Sequence, residues 1–412
     1  MSDKTILVIG TYDTKDDELA YLAGVIRDQG GKVVTMDVSV LGDPSQPCNH
    51  SKHDVASEGG SSIQAAIDSG DENHAMQIMA KGASLLTARL YAEGDFDGMI
   101  VLGGTMGTDL ALDVTSALPL GVPKYIVSTV SFSPLIPAER LAADTQMILW
   151  AGGLYGLNSV CKASLSQAAG AVLGAARAVQ MPASKRPLIG MMSLGTSALK
   201  YVVSLKPALE ERGFEVAVFH ATGMGGRAFE SLAAQGAFAC VFDFCTQELG
   251  NQIHGSNISA GADRLTNAGA SGTPQIVAPG CYDLVDIVGW LPLPDKWLNH
   301  MSHAHNRLLT SVVLNTEERI AVARAHSTQL ADAKAPVAMI LPQNGLGEWD
   351  REGADLHNKE GLAEFLNELQ ATLPANVSQH PIACHINDAE FADKALEIFD
   401  AWRADGTGDR VL

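Results

Sequence analysis

Short runs of apolar, β-branched residues alternate along the chain with longer segments whose apolar residues recur at helical spacing. The first run covers residues 5–9, and a helix is predicted over residues 16–28, with Leu19, Leu22 and Ile26 on one face. This alternation is typical of parallel βαβ units, because two parallel strands need a crossover connection between them. The pattern therefore predicts an α/β protein with mainly parallel sheets.

The same alternation starts again in the second half of the chain. Further strands are predicted at residues 32–39, 98–102, 124–127, 188–194, 216–219, 239–242, 275–277, 336–340 and 381–384. A polar, turn-rich stretch over residues 43–73 is expected to be a surface excursion, and residues 180–187 form a predicted linker. We therefore predict two doubly wound Rossmann-like domains, residues 1–185 and 186–412, which are diverged copies of one unit.

Composition and charge narrow the class of protein. The chain has 28 Lys and Arg against 47 Asp and Glu, a formal net charge of −19. Such a surface repels phosphate backbones, so no nucleic-acid partner is expected. The six cysteines include no C-x-x-C pair, and the chain begins without a signal-peptide pattern. Since no uncharged apolar run reaches about 18 residues, we expect a cytoplasmic protein with reduced thiols and no membrane contact.

Two loops of the first half carry residues suited to phosphate. Asp13, Thr14 and Lys15 follow the first strand; Gly103, Gly104, Thr105, Met106, Gly107 and Thr108 follow the strand at 98–102. Glycine lets the backbone approach a phosphate closely, and N–H groups at a helix N-terminus attract anions. The structural alternatives are a helix cap by Thr14 or Asp13 and a tight strand–helix turn. Neither loop has P-loop or dinucleotide-binding spacing, so a dehydrogenase is disfavoured.

Polar residues also follow the strands of the second half. A guanidinium suits a carboxylate or another oxyanion, so Arg227 and Arg264, with Glu248 and His305, are candidates for contact with a small anionic metabolite. We expect this ligand at the interdomain cleft. The structural alternative is that Arg227 and Glu248 form an ion pair that bridges adjacent loops.

Histidines in the second half suggest a third kind of site. His303 and His305 would share one face of a strand, and His385 lies in a further polar segment. Imidazoles combined with a carboxylate bind zinc and related metals. These three residues are therefore candidate metal ligands, and the alternative for each is a surface or hydrogen-bonding role.

Taken in order, the loops resemble the Tm-one-like ATP-binding family, whose namesake is a plant tobamovirus-resistance protein. The resemblance spans residues 4–403. It rests on Gly10, Thr11, Asp13, Thr14, Lys15 and Glu18, the 103–108 loop, Pro123, Ser128 and Thr129, residues 156–158, the 220–227 loop, Asp243, Thr246 and Glu248, residues 259–261 with Arg264, His305 with Asn306, and residues 385–388.

The resemblance implies two Rossmann-like domains, self-association as a homodimer, and ATP bound by the first domain. The implied ATP contacts are Asp13, Thr14, Lys15, Gly104, Thr105, Met106 and Gly107. Met106 stands where the plant protein has glycine, and Tyr12, where that protein has a small residue, is expected to wall the pocket.

Three functions are compatible with these residues. The first is an ATP-dependent enzyme that acts on a small anionic metabolite, with Mg²⁺ bridging the phosphates. The second is a non-catalytic protein in which ATP favours domain closure or dimerisation. The third is a metal-dependent hydrolase, which requires His303, His305 and His385 to converge.

Overall fold

The structure is a computed structural model that describes residues 3–153, 155–181 and 185–406. The chain divides into two compact units, Met1–Ala183 and Ser184–Leu412, called here the N-terminal unit and the C-terminal unit. Residues 182–184 of the predicted linker lie outside the described residues.

The N-terminal unit contains one parallel sheet with strand order β2-β1-β3-β4-β5. Its strands are β1 (Thr5–Gly10), β2 (Lys32–Asp37), β3 (Gly98–Gly103), β4 (Lys124–Ser128) and β5 (Thr145–Leu149). Its helices are α1 (Asp16–Asp28), α2 (Lys52–Glu58), α3 (Ile63–Asp68), α4 (Glu72–Glu93), α5 (Thr105–Ser116) and α6 (Ser159–Ala178), with a 3₁₀ turn at Ala138–Arg140.

Side-chain alternation along β1 explains how both faces of this sheet are covered. Ile6 and Val8 belong to one apolar cluster with residues of α1 and α6. Leu7 and Ile9 belong to a second cluster with residues of α4 and α5. Because successive strand residues point to opposite faces, a continuous apolar strand needs helices on both sides.

The C-terminal unit contains a six-stranded parallel sheet and a separate three-stranded antiparallel sheet. Its strands are β6 (Leu188–Ser193), β7 (Glu215–His220), β8 (Cys240–Asp243), β9 (Gln275–Val277), β10 (Leu284–Val288), β11 (Ser302–Ala304), β12 (Leu309–Val313), β13 (Val337–Pro342) and β14 (Val377–Ile382). Its helices are α7 (Lys200–Glu211), α8 (Met224–Ala234), α9 (Gln247–Ile253), α10 (Asn267–Ala270), α11 (Thr316–Leu330), α12 (Lys359–Thr372) and α13 (Ala389–Asp405), with 3₁₀ turns at Asp295–Trp297 and Glu348–Asp350.

The strand order relates the two parallel sheets. The larger sheet has the order β7-β6-β8-β9-β13-β14, and the smaller has β2-β1-β3-β4-β5. When the strands are numbered within each parallel sheet, both sheets therefore run 2-1-3-4-5, and the C-terminal sheet adds a sixth strand. The predicted fold class, α/β with mainly parallel sheets, is confirmed.

Several local predictions were wrong. The polar excursion over residues 43–73 contains α2, all of α3 and the start of α4. Strand β5 and the antiparallel sheet of β10, β11 and β12 were missed, because these short strands mix polar with apolar residues. The last strand lies at Val377–Ile382 and ends before Cys384. In the described ranges, no helix has the length and apolar character needed to cross a bilayer.

Candidate functional site

The two predicted phosphate loops lie at the carboxyl edge of the N-terminal sheet. Ligands of open α/β sheets bind at this edge, where the strand order reverses, and here that point lies between β1 and β3. A pocket of ≈ 330 Å³ opens there and is lined by Thr11, Asp13, Thr14 and Met106, among others. The structure thus brings residues of both loops to one cavity, which we call the N-terminal pocket.

Helix α5 presents an open N-terminus beside this pocket. Gly104 is its N-cap, no described side chain caps it, and its first turn carries no acidic residue. Thr105 and Met106 in that turn are exposed, whereas the Thr108 hydroxyl donates to the Gly104 carbonyl over 2.6 Å. The first-turn N–H groups, with the positive end of the helix dipole, are available to an anion.

The glycines of this loop have different roles. A Cβ on Gly103 would lie 2.6 Å from the Cα of Gly107, so Gly103 is required by the tight strand–helix turn. A Cβ on Gly104 would meet only the Thr129 hydroxyl, at 3.8 Å. A tight strand–helix turn, the structural alternative to phosphate binding, therefore explains Gly103 but gives no reason for glycine at position 104.

Helix α1 is a poorer place for phosphate. Its N-cap is Lys15, so the predicted cap by Thr14 or Asp13 is wrong, and its first turn carries Asp16, Asp17 and Glu18. Three carboxylates in the first turn repel an anion there. The Lys15 ammonium lies 5.6 Å from the centre of the Trp150 ring. Because the first turn of α5 carries no acidic residue, its N-terminus is the more favourable place for a phosphate.

Asp13 connects the first loop to the segment after β2. Its amide N–H donates to the Ser39 hydroxyl over 3.1 Å, and its Oδ2 accepts from the Gly42 amide over 3.2 Å. Its other oxygen, Oδ1, is buried and has no hydrogen-bond partner among the described residues. Because Asp13 also lines the N-terminal pocket, this oxygen is a buried carboxylate acceptor at the pocket that no described residue satisfies.

Tyr12 does not wall the pocket as expected. Its side chain is buried in the apolar cluster that contains residues of α1 and α6. There its hydroxyl donates to the Val8 carbonyl over 3.3 Å. Burial raises the pKa of this phenol well above its usual range.

Apolar side chains missed by the sequence analysis form much of the lining of the N-terminal pocket. They follow β2 or belong to α3 and the start of α4: Val38, Val40, Leu41, Ala66, Ile67 and Met76. Leu41 is 78% exposed and Ile67 is 40% exposed. Apolar residues within the polar stretch 43–73 and next to it were the sequence feature that could have indicated a ligand pocket here.

The charged candidates of the C-terminal unit form a buried network. Arg264 is fully buried and donates to Glu248 over 3.0 Å, to Glu230 over 3.1 Å and to Asp243 over 2.8 Å. Burial raises the pKa of Glu230 and raises that of Glu248 to about 7, while the Arg264 charge lowers both. One guanidinium thus faces three carboxylates, and desolvation favours protonated carboxyl groups.

This placement corrects the predicted substrate contacts. Glu248 and Arg264 are both 0% exposed, so neither can meet a diffusing ligand. The predicted Arg227–Glu248 pair is also wrong, because Arg227 instead binds Asp263, with 2.6 Å between Nη1 and Oδ1. Glu248 accepts from the backbone amides of Gly223 and Gly226 over 2.6 and 3.1 Å, which ties the loop after β7 to the network.

The three candidate metal ligands do not converge. His385 is buried, its Nε2 lies 3.0 Å from the Gly347 carbonyl, and its Nδ1 lies 3.0 Å from Arg351. The His303 ring packs edge-on against Trp349, with 4.8 Å between ring centres, while His305 lines a different pocket. Across the described residues, no group of three or more His, Cys, Asp or Glu is arranged to hold a metal ion. The proposed histidine metal site is therefore not formed.

Fold and pocket together define a doubly wound α/β protein with a strand-end crevice in its N-terminal unit. The chain belongs to the uncharacterised protein family UPF0261: residues 4–181 match its N-terminal domain and residues 186–403 its C-terminal domain. A UPF0261 protein of Brucella melitensis is 53% identical over 401 residues, which cover 97% of this chain and 96% of that protein.

The resemblance to the Tm-one-like family is confirmed. The ToMV susceptible protein tm-1(GCR26) of Solanum lycopersicum is 28% identical over 427 residues, which cover 96% of this chain and 55% of that protein. Among solved structures, the S. aureus MnaA–UDP co-structure aligns with 66% of this chain and 79% of its own at 9% identity and a TM-score of 0.22. A TM-score this low does not establish a shared fold.

Proposed function

We propose that the protein binds ATP in its N-terminal pocket. The single observation that carries the proposal is that one cavity joins an apolar wall to Met106 in the first turn of α5, a helix whose N-terminus has no side-chain cap in the described structure. A nucleotide needs both, because its base is flat and largely apolar while its phosphates are anionic. The resemblance to Tm-one-like proteins supports the choice of ATP among nucleotides.

The apolar wall suits the adenine ring. Val38, Val40 and Leu41 follow β2, and Ala66 and Ile67 on α3 also line the cavity. Binding pockets for small molecules are mostly apolar with a few well-placed polar groups. Covering the exposed side chains of Leu41 and Ile67 with a base would remove apolar surface from water, which contributes about 25 cal/mol per Å².

The phosphates would lie at the first turn of α5. A helix N-terminus supplies N–H donors and about half a positive charge, and α5 has 12 residues with no acid in its first turn. The open space in front of Gly104 would let a phosphate oxygen approach the backbone.

Mg²⁺ fits the same pocket. Asp13, Asp71 and Glu72 all line it and would repel bare phosphates. A divalent cation offsets this repulsion, and the unsatisfied Asp13 Oδ1, with the hydroxyls of Thr11 and Thr14, supplies the hard oxygen ligands that Mg²⁺ prefers. Held by these residues, the ion would neutralise part of the phosphate charge.

Titration calorimetry with ATP, adenosine and tripolyphosphate in Mg²⁺ buffer tests the proposal. Since base and phosphates would contact different residues, ATP should bind at least tenfold more tightly than either fragment, about 1.4 kcal/mol or more. No heat with ATP at about 1 mM would contradict nucleotide binding, because the affinity would then be weaker than roughly −4 kcal/mol. Equal affinities for ATP and tripolyphosphate would remove the base-binding role of the apolar wall.

Turnover separates two versions of this function. An ATP-dependent enzyme should release ADP faster when its second substrate is added, whereas an ATP-responsive binding protein should release none above background.

We also propose that the protein works as a cytoplasmic homodimer. The free thiols of its six cysteines fit that compartment, and the resemblance supports self-association, which sedimentation velocity would measure. A single monomer peak at micromolar concentration would contradict the dimer.

A further inference from the structure

A second polar pocket of ≈ 250 Å³ lies in the C-terminal unit, where the antiparallel sheet meets the loops after β6 and β7. Asp286 on β10 stands opposite Ser311 on β12 in the strand register. Because side chains alternate along a strand, Leu284 and Leu309 lie on the same face as this pair. These four residues form one wall of the cavity, which we call the C-terminal pocket.

Gln247 contributes an unsatisfied amide to the C-terminal pocket. The residue is 1% exposed, it lines the cavity, and neither amide atom has a hydrogen-bond partner among the described residues. Leaving a buried polar group unpaired costs about 1–3 kcal/mol, and native structures rarely tolerate it without a reason. A ligand that accepts from Nε2 and donates to Oε1 would satisfy both atoms.

Asp286 supplies the second buried polar group. Its carboxylate accepts from the Ser311 hydroxyl over 2.6 Å, and its amide donates to Asn251 over 2.8 Å. Burial raises the pKa of Asp286, while the Ser311 bond, the nearby Gln247 amide and the His305 and His220 rings lower it. The Gln247 amide is close enough to this carboxylate to lower its pKa, although the two groups do not meet standard hydrogen-bond geometry, and both residues line the cavity.

Histidine and hydroxyl side chains also line the C-terminal pocket. His220 and His305 both line the pocket and are exposed. The Asn306 side chain holds the turn after His305, since it accepts from the Leu308 and Leu309 amides over 2.7 and 3.1 Å. Thr196 and other hydroxyl residues add donors and acceptors, and the Trp349 ring contributes an apolar surface.

No described residue that lines this pocket is a lysine or an arginine. We propose that the C-terminal pocket binds a small, uncharged, polyhydroxylated molecule of the monosaccharide class. Asp286 and Gln247 bind ligand hydroxyls at the floor, His220 and His305 bind others at the mouth, and Trp349 contacts the C–H face of the ring. The volume lies below the roughly 300–1,000 Å³ of pockets for drug-sized ligands, which suits a single sugar ring.

This inference goes beyond nucleotide binding, because every residue of the site belongs to the C-terminal unit. It also replaces the anionic ligand expected from Arg227 and Arg264. Both guanidiniums are paired with carboxylates of the same unit, and neither lines the cavity.

Saturation-transfer NMR on the full chain, without nucleotide, tests the proposal. The probes are D-xylose, D-glucose and D-galactose, and the anionic comparison set is D-gluconate and D-galactonate. At least one neutral sugar should show transfer. Gln247→Met should reduce that signal at least fivefold while leaving the melting temperature unchanged or raising it, since the substitution removes orphaned polar atoms.

Gln275→Met is the matched control. Gln275 is also buried with an unpartnered Nε2, but it lies on β9 and does not line the pocket, so its variant should keep the full signal. Asp286→Asn is the second pocket variant should Gln247→Met fail to fold, and it should lose the signal equally. The proposal is overturned by the absence of transfer to all three neutral sugars, by transfer to the sugar acids alone, or by a full signal in folded Gln247→Met or Asp286→Asn.

Discussion

The two units place polar residues at the ends of equivalent strands and satisfy them differently. In the N-terminal unit the first turn of α5 has no side-chain cap in the described structure, and Asp13 Oδ1 has no described partner. In the C-terminal unit Asp243 and Glu248 both bind Arg264, and all three are at most 1% exposed. A charged residue at a strand end therefore indicates a ligand site only when the chain itself leaves it unsatisfied.

The largest expected effect is the loss of the C-terminal charge network. Arg264→Met removes the only guanidinium that binds Asp243, Glu230 and Glu248 in the described network. Breaking a buried pair leaves uncompensated charge and costs about 3–5 kcal/mol, so urea denaturation should show a loss of that size. Arg324→Met, which removes a surface pair with Glu368 from a side chain 65% exposed, is the control and should cost less than about 1 kcal/mol. Similar losses for both variants would refute the structural role of Arg264.

A second effect should appear as a pH dependence of stability. His326 is buried between the Thr246 hydroxyl, at 2.7 Å, and the Val322 carbonyl, at 2.9 Å. Burial lowers its pKa from 6.5 to about 4. The unfolded chain therefore binds a proton below pH 6.5 that the folded chain excludes, so stability is lost as the pH falls from 6.5 towards 4, by up to about 3 kcal/mol.

Urea unfolding at several pH values measures this dependence. His326→Phe should flatten the decline between pH 6.5 and 4, whereas replacing the exposed His303 by Asn should leave it unchanged. An unaltered slope in His326→Phe would show that other groups control the acid response.

The N-terminal pocket should depend on Mg²⁺. Because Asp13, Asp71 and Glu72 line it, chelation of the metal should weaken ATP binding about tenfold, or roughly 1.4 kcal/mol. Asp13→Asn should remove most of this metal dependence, since it removes the charge beside the unsatisfied oxygen. ATP affinity that is equal with and without EDTA would contradict the metal's role, and calorimetry measures both cases.

The smallest expected effect on stability is at Arg227. Its partner Asp263 is 40% exposed, so solvent screens the pair and Arg227→Ala should cost about 1–2 kcal/mol. ATP affinity should be unchanged, because the residue lies in the other unit. Thermal denaturation and ATP titration of one preparation check both points, and an altered ATP affinity would contradict the separation of the two regions.

Part of this structure was predictable from the sequence. The buried parallel strands were found because each is a short apolar run, and the 103–108 loop was found because three glycines follow such a run. Strand β10 was missed because Asp286 interrupts its apolar pattern, and its pairing with β12 is non-local. The sequence places Asp243 and Arg264 21 residues apart, and their burial depends on tertiary packing that no local motif reports.

The C-terminal pocket shows the same limit. Gln247 carries no motif, and its importance follows only from being buried without a described partner. The stretch over residues 43–73 looked like a surface excursion because it is polar, yet two of its apolar residues, Ala66 and Ile67, line the N-terminal pocket.

The most direct test of nucleotide binding by the N-terminal unit is calorimetric titration of ATP into Gly104→Val, with Gly174→Val as the control. An added Cβ meets no close protein atom at either position: the nearest atom to a Cβ at position 104 is 3.8 Å away, and none lies within 4 Å at position 174. If phosphates bind at α5, Gly104→Val should lower ATP affinity at least tenfold, about 1.4 kcal/mol, and Gly174→Val should match the unaltered protein. Wild-type affinity in folded Gly104→Val would contradict ATP binding at this helix.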